Sequence, residues 1–260
     1  VYTVPTIMTR ISKLDRAVVD SVDLSSIRIL LHMAAPCPPE TKRWWIDLLG
    51  PERVLELYGG AERIGLTLID GNEWLAHPGS VGKAAPGDEI VITDEAGKPL
   101  PAGEIGEVNF RKDVGTGTTY SYIGAEPRIR GDLDSYGDMG WLDEGGYLYI
   151  ADRRTDMVVI GGVNVYPAEV EHVIDGLPGV LCSAVIGLPD ADLGNRLHAI
   201  VELEEGEAEP DGQQFLAGLH KQLVGFKRPR SVEFTHERIR DDAGKVRRSA
   251  LRAARLDNNG

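Results

Sequence analysis

The sequence predicts two domains: an α/β and β-rich portion over residues 1–152, and a small α+β domain over residues 153–260. From about residue 80 to residue 150, short apolar segments alternate with Gly/Pro turns, which is typical of β-structure. After Arg153, helical and strand patterns alternate around what we expect to be one small sheet. We therefore expect the domain boundary at residues 152–155.

The first portion contains one helix and two strands ahead of its β-rich part. The helix is predicted at residues 39–49, where apolar side chains fall on one side. A proline pair at 38–39 favours its start, and the Gly-Pro pair at 50–51 favours its end. The two strands are predicted at residues 54–58 and 66–69. Further along, DEIVITDEAGKPLPAGEIGEVNF has strand signals on both sides of a turn at residues 95–103, and GYLYIADR adds a strand. These strands predict a small barrel or a distorted antiparallel sheet.

The second portion alternates helices and strands. A hairpin is predicted in TDMVVIGGVNV, and strands are predicted in VLCSAVIGL, in RLHAIVELE and at residues 230–234. Helices are predicted at residues 167–174, 213–223 and 245–255.

Composition excludes several classes of function. A net charge of -13 over 260 residues argues against a general nucleic-acid binder. No apolar run approaches a membrane span, and no signal peptide is visible. Cys37 and Cys182 match no metal or redox spacing, which favours buried free thiols in a reducing cytoplasm. The first residue is Val1 rather than Met, which is consistent with a processed or truncated piece of a longer chain.

The C-terminal end is basic in an otherwise acidic chain. Residues 227–255 contain ten Lys or Arg against four Asp or Glu. Two interpretations remain open: a solvated helix face, or a site for a phosphorylated small molecule.

Two glycine-containing stretches do not meet the requirements of phosphate-binding motifs. HPGSVGKA has His77 where a Walker loop needs glycine and Ala84 where it needs Ser or Thr. GTGTTY has Tyr120 where a dinucleotide fingerprint has its third glycine.

Four other segments, in this order and at these spacings, resemble the adenylate-forming (AMP-binding) superfamily, in its acyl-CoA synthetase branch. They are LLHMAAPCPPE (30–40), LYGGAERIG (57–65), SYGDMGWLDEGGYLYIADRRTDMVVIGGVNVYPAEVE (135–171) and IRDDAGKVRRSALR (239–252). The resemblance covers essentially the whole chain, and the third segment is long and specific.

The resemblance implies the C-terminal half of such an enzyme. Residues 1–152 would be the end of a large N-terminal domain, a sheet plus a small β-barrel, and residues 153–260 a small mobile α+β domain. The family's phosphate loop lies upstream, so the chain alone is expected to be inactive. Family members use ATP and Mg²⁺ to turn a carboxylic acid into an acyl-adenylate, and a thiol, usually of coenzyme A, then displaces AMP. The small domain rotates on a hinge between the steps. A homo-oligomer is compatible with the sequence.

The resemblance also assigns roles in the large domain. The ATP/AMP-binding positions are Ala34, Ala35, Pro36, Tyr58, Gly59, Gly60, Ala61, Asp138, Ile150 and Arg153. Among these, the ring of Tyr58 would stack on adenine and Asp138 would accept hydrogen bonds from the ribose hydroxyls. Glu62 would act in catalysis as the Mg²⁺ ligand, a hard oxygen donor for a hard cation. His32 and Met33 would shape the acyl pocket.

In the small domain, Thr155 and Asp156 match the hinge, and Lys245 matches the catalytic lysine that reaches the carboxylate and α-phosphate during adenylation. Gly161 and Gly162 match glycines that border the CoA channel, with a plain hairpin turn as the alternative.

Two positions depart from the family pattern. Ala61 stands where the family has a threonine whose hydroxyl bonds the α-phosphate, and Thr155 stands where it usually has Asp or Lys.

The predicted function is an AMP-forming acid–thiol ligase, an acyl-CoA synthetase acting on a fatty, aromatic or steroid side-chain acid, with bulkier lipid-like acids favoured. A carrier-protein adenylation domain, a non-catalytic nucleotide-binding relative, and a small interaction module at residues 153–260 remain alternatives.

Overall fold

The computed structural model describes residues 1–112, 115–117, 119–123, 126–241 and 244–257. It divides into two compact units, Val1–Ala151 (unit 1) and Asp152–Gly260 (unit 2). The helices of unit 1 are α1 (Pro5–Ser12), α2 (Arg16–Asp20), α3 (Pro39–Leu49) and α4 (Gly71–Ala76). Its strands are β1 (Tyr2–Thr3), β2 (Leu30–His32), β3 (Val54–Gly59), β4 (Leu66–Asp70), β5 (Lys83–Ala84), β6 (Asp88–Thr93), β7 (Gly106–Lys112), β8 (Ile129–Arg130), β9 (Leu133–Asp134), β10 (Asp138–Leu142) and β11 (Leu148–Arg153), the last of which enters unit 2.

The first five strands form one sheet in chain order. Strands β1, β2 and β3 run parallel, β4 pairs antiparallel with β3, and β5 pairs antiparallel with β4. The buried side of this sheet packs against helices through Met8, Leu30, Trp45, Ile46, Leu49, Val54, Ile69 and Trp74. Because side chains alternate along a strand, the opposite face carries other apolar residues, and these retain exposed surface. They are Tyr2, Leu31, Leu55, Leu57, Leu66 and Leu68.

The predicted β-rich middle of the chain is a six-stranded sheet. Its order is β11-β10-β7-β9-β8, and β6 pairs with β7. Strand β7 pairs antiparallel with β6, β9 and β10, which places it at the centre. The core beneath it contains Ile64, Ile92, Val108, Phe110 and Leu148.

Unit 2 is an α+β unit with its own core. Its helices are α5 (Pro167–Asp175), α6 (Gly212–Gly218) and α7 (Arg248–Asp257). Its strands are β12 (Val158–Ile160), β13 (Val163–Val165), β14 (Val180–Asp190), β15 (Gly194–Leu203) and β16 (Ser231–Thr235). Strands β12 and β13 form a hairpin, and β14-β15-β16 form a sheet whose first pair is antiparallel and second pair parallel.

The fold class and several elements match their predictions. The helix at residues 39–49 is confirmed at both ends, and the hairpin, α5 and β14–β16 lie where expected. The predicted helix at 213–223 is too long, since α6 ends at Gly218 and a 3-10 turn follows. Glycine is a poor helix former, which accounts for the early end.

The last helix begins three residues later than predicted, at Arg248 rather than Lys245. The backbone N–H of Lys245 donates to the Asp241 carboxylate at 2.9 Å, so a turn occupies the start of the predicted helix. Among the described residues, no helix combines the length and apolar character needed to cross a membrane.

Candidate active site

The glycine turn after β3 has a defined shape. The backbone N–H of Arg63 donates to the carbonyl of Gly60 at 3.1 Å, so Ala61 and Glu62 are the two corners of a β-turn. A Cβ on Gly60 would lie 2.5 Å from Cε1 of Tyr136 and 2.5 Å from Oε2 of Glu62. Glycine is therefore the residue that fits at this position.

Tyr58 and Asp138 meet beside this turn, although 80 residues separate them in the chain. The Tyr58 hydroxyl donates to Oδ2 of Asp138 at 2.6 Å. Tyr58 is half-buried near the end of β3, and Asp138 is buried at the start of β10. The structure thus joins the two residues to which the family resemblance assigns contacts with adenine and ribose.

Aromatic neighbours hold the Tyr58 ring. Phe110 stacks on it at 6.4 Å between ring centroids, and Tyr136 meets it edge-on at 6.1 Å. The Tyr136 hydroxyl donates to the Gly65 carbonyl at 2.9 Å and accepts from the Ile64 N–H at 3.0 Å. Burial raises the pKa of Tyr136, which keeps this hydroxyl protonated.

Phe110 and Tyr136 were not predicted as site residues. Tyr136 lies two residues before Asp138, inside the third matched segment, so the signal was present. Phe110 reaches the site only through sheet pairing. Ile150, a predicted site residue, packs against the same apolar cluster as Tyr58.

Glu62 presents a partly exposed carboxylate at the turn. Its Oε1 accepts from the Tyr122 hydroxyl at 3.1 Å, and its backbone carbonyl accepts from the Thr119 hydroxyl at 2.6 Å. In the described part of the chain, no three His, Cys, Asp or Glu residues gather as a metal site. A single accessible carboxylate still fits Mg²⁺, which usually binds through one or two carboxylates plus substrate phosphates.

The turn after β2 contains Ala34, Ala35 and Pro36. Ala34 has φ +81°, a left-handed conformation that favours glycine and is strained for alanine. Met33, just before it, keeps some exposed surface.

His32 differs from its prediction as an acyl-pocket residue. Strand alternation turns it to the helix side of the sheet, where it has no exposed surface. Burial lowers the pKa of His32 to about 4, and neither ring nitrogen has a hydrogen-bond partner among the described residues. Lys42 and Glu56 form a buried ion pair at 2.5 Å in the same interior. The charge of Glu56 raises the pKa of His32, and the charge of Lys42 lowers it. Of the two predicted pocket residues, only Met33 has a side chain that a ligand could contact in this unit.

In unit 2, Gly161 and Gly162 form the two-residue loop of the β12–β13 hairpin. Their φ values are +56° and +84°, and such loops require glycine or Asn/Asp at both positions. Turn geometry therefore explains both glycines, and a role at a CoA channel stays a prediction.

Lys245 is exposed and lies in a turn closed by hydrogen bonds to Asp241. At the start of unit 2, the N–H of Arg153 donates to Asp152 at 2.7 Å, and burial raises the pKa of Asp152 to about 6. Thr155 is exposed, whereas Asp156 accepts from Arg248 at 2.7 Å.

Comparisons with known proteins agree with the four matched segments. The sequence profile of the AMP-binding enzyme family matches residues 1–121, and that of the AMP-binding enzyme C-terminal domain matches residues 169–245. A feruloyl-CoA synthase from an Amycolatopsis species is 34% identical over 237 residues, 89% of this chain and 47% of the relative. The long-chain-fatty-acid–CoA ligase FadD13 from Mycobacterium tuberculosis is 36% identical over 239 residues, 89% of this chain and 45% of the relative.

A solved structure is similar over the whole of this chain. ATP-bound MatB from Rhodopseudomonas palustris matches with a TM-score of 0.84 at 35% identity, covering 100% of this chain and 51% of that chain. The chain thus spans about half the length of the relatives it matches. It belongs to the adenylate-forming, or AMP-binding, enzyme family, as a partial, C-terminal member whose relatives are acyl-CoA ligases.

Proposed function

We propose that this chain is the C-terminal half of an ATP-dependent acyl-CoA synthetase. The observation that carries the proposal is the Tyr58–Asp138 hydrogen bond beside the turn that contains Glu62. It brings together in unit 1 three residues, Tyr58, Asp138 and Glu62, to which the family resemblance assigns contacts with ATP or its Mg²⁺. Catalysis of this kind depends on positioning and on groups that stabilise charge at phosphorus.

In the first half-reaction, a carboxylate oxygen attacks the α-phosphorus of ATP and pyrophosphate leaves. The half-buried Tyr58 ring offers adenine a flat apolar surface held in place by Phe110 and Tyr136. When ATP binds, the Asp138 carboxylate accepts hydrogen bonds from the ribose hydroxyls, either in place of the bond from Tyr58 or together with it. Glu62 would hold Mg²⁺, which neutralises charge on the phosphates. Lys245 supplies a cation on a long stem.

In the second half-reaction, the thiol of CoA displaces AMP from the acyl-adenylate. The Gly161-Gly162 loop has no side chain to obstruct a ligand passing it, which supports a place at the CoA channel. Thr155 and Asp156 remain our hinge residues.

The acid is proposed to be a bulky lipid-like or aromatic carboxylate. The relatives' names specify feruloyl and long-chain fatty acyl groups. Met33, partly exposed beside the turn of residues 34–36, is the residue of this chain that we place at the acyl pocket.

The test is acid-dependent ATP–pyrophosphate exchange by the complete gene product, with ferulate and a long-chain fatty acid as substrates. Exchange is expected in the wild-type protein and is expected to be lost in Lys245→Ala. CoA transfer to a supplied acyl-adenylate should survive that substitution, because Lys245 acts only in adenylation. Lys221→Ala, which changes an exposed lysine elsewhere in unit 2, is the matched control.

Other outcomes favour other functions. ATP binding without exchange would indicate a non-catalytic relative. Exchange followed by transfer to a carrier protein but not to CoA would indicate a carrier-protein adenylation domain. If both half-reactions survive Lys245→Ala, the role of Lys245 is wrong. The present chain by itself is expected to show no exchange.

A further inference from the structure

Two arginines flank the turn that carries Lys245. Arg240 precedes it and Arg248 follows it at the start of α7. Both are largely buried, with 21% and 15% of their side chains exposed. A buried arginine has to satisfy its donors locally, so its partners determine where the adjoining backbone lies.

Helix α5 supplies a carboxylate to each arginine. Glu171 and Asp175 are four residues apart, so they lie one above the other on one face of the helix. Strand β14 faces them with Ser183 and Val185, which alternation places on one side. These residues form two sets, which we call the two rungs of the α5 ladder. The first rung is Asp175, Ser183 and Arg240. The second rung is Glu171, Val185 and Arg248.

The second rung is a closed set of charge-assisted hydrogen bonds. Nη2 of Arg248 donates to both oxygens of Glu171, at 2.9 and 2.7 Å, and Nε donates at 3.2 Å. The N–H of Val185 donates to the same carboxylate at 2.7 Å. The remaining Nη1 donates to Asp156 at 2.7 Å. The fork of the guanidinium is thereby fixed in orientation.

The first rung joins the turn itself to the sheet. Nη1 of Arg240 donates to the carbonyl of Gly244, next to Lys245, at 3.2 Å. Its Nη2 donates to the carbonyl of Ser183 at 3.2 Å and lies 3.9 Å from the Asp175 carboxylate. The Ser183 hydroxyl donates to Asp175 at 2.5 Å. One guanidinium therefore bridges the turn and β14.

The turn has other contacts within unit 2. The side chain of Lys245 is exposed, and Val246 packs against the apolar cluster that contains Ala184 and Ile186 of β14. Arg240 and Val246 form an isolated antiparallel bridge that closes the base of the turn.

We propose that the α5 ladder fixes the Lys245 turn to the body of unit 2, which makes Glu171, Asp175, Arg240 and Arg248 positioning residues for Lys245. This inference rests on the proposed function only for the role of Lys245 in adenylation. A lysine delivered on a long flexible stem gains precision when its backbone is held, because a small misplacement reduces the rate strongly.

The ladder is tested first in the chain as it stands, by hydrogen exchange at the amides of Lys245 and Val246. Arg240→Met and Arg248→Met are expected to speed exchange there about 10- to 100-fold, the size expected for losing hydrogen bonds to charged groups. Arg247→Met, which changes an exposed arginine between the two, is the matched control and is expected to change exchange less than about twofold.

The proposal is overturned if both amides keep their wild-type rates in folded Arg240→Met and Arg248→Met. It is equally overturned if exchange accelerates to the same degree throughout β14 and β15, because the arginines would then support the whole unit rather than the turn. Should Arg248→Met fail to fold, Arg248→Lys keeps the charge, removes the fork, and is held to the same expectation.

A second measurement uses the complete gene product. Arg240→Met is expected to lower kcat for adenylation by about tenfold or more. Its KM for ATP, and its rate of CoA transfer from a supplied acyl-adenylate, are expected to stay within about twofold of wild type. Equal loss in both half-reactions would contradict positioning. If Lys245→Ala itself leaves adenylation intact, the proposed function of Lys245 is wrong. The hydrogen-exchange result still tests whether the α5 ladder fixes the turn.

Discussion

At the scale of single residues, Ala61 is the most informative departure from the family pattern. It is an exposed corner of the β-turn between Gly60 and Arg63, next to Glu62. A threonine there would meet no packing constraint, since surface positions usually change stability by less than about 0.5 kcal/mol. The absence of the hydroxyl is therefore not imposed by the fold.

Ala61→Thr is expected to raise the rate of adenylation. A hydrogen bond to a charged group contributes about 1.5–3 kcal/mol, which corresponds to about 10- to 150-fold in rate. ATP–pyrophosphate exchange by the complete gene product measures the effect. Ala61→Val matches the shape of threonine without its hydroxyl and should leave the rate unchanged. Equal gains in the two variants would show that shape, and not the hydroxyl, is responsible.

The structure brings some of the predicted site residues together and not others, for physical reasons. Tyr58, Asp138 and Glu62 belong to compact motifs, and the structure places them around one turn. His32 also belongs to a motif, but which face it occupies depends on where β2 begins, which no local signal sets. Phe110 joins the site through β-sheet pairing and has no motif of its own.

At the scale of elements, α5 presents Glu171 and Asp175 on one face, and both carboxylates are enclosed against β14. Burial raises the pKa of Asp175 to about 7, while Ser183 and Arg240 oppose that shift and Glu171 adds to it.

The predicted start of the last helix was three residues too early, because helical propensity does not take account of a competing hydrogen bond from the Lys245 N–H to the Asp241 side chain.

Asp175 makes stability depend on pH. Its pKa is about 7 when folded against 3.8 as the reference value, so between these values the folded chain holds a proton that the unfolded chain releases. Its contribution to stability is therefore present at low pH and is lost as pH rises through about 7. Asp175→Asn should remove this loss.

The measurement is urea unfolding of the wild type and Asp175→Asn from pH 5 to pH 8. The free energy of unfolding of the wild type is expected to fall relative to that of the variant as pH rises. Asp190→Asn is the control: backbone hydrogen bonds lower the pKa of Asp190 below its reference value of 3.8, so this carboxylate is ionised in the folded and the unfolded chain from pH 5 to pH 8, and its difference from the wild type should not change with pH in that range. A pH-independent difference for Asp175→Asn would refute the shifted ionisation.

At the scale of the whole molecule, the chain has separate cores in its two units. The clusters around Val170 and Ile200 lie entirely in unit 2, and those around Trp45 and Phe110 lie entirely in unit 1. The sequence feature that predicts two domains is a change of pattern, from β-rich to alternating helices and strands. The α1 and α2 helices were not predicted, since their short patterns are weak.

Residues 152–257 are expected to fold alone with cooperative thermal unfolding, because two apolar clusters belong wholly to them. Ile200→Ala, in the fully buried centre of β15, should lower the free energy of unfolding by about 2–5 kcal/mol. Val224→Ala, which changes an exposed residue, should alter it by less than about 0.5 kcal/mol. Circular dichroism during heating and in urea provides both values. A broad, non-cooperative transition would mean that this unit needs the rest of the chain.

The α5 ladder also bears on how sequences of this kind diverge. Replacing one carboxylate leaves its arginine enclosed without a counter-charge, which is costlier than losing both together. Mutational drift should therefore pass through this region in coupled steps, with Glu171 changing alongside Arg248. The side chain of Lys245 is exposed and is under no such structural constraint. Conservation of this lysine would therefore indicate selection for its chemical role.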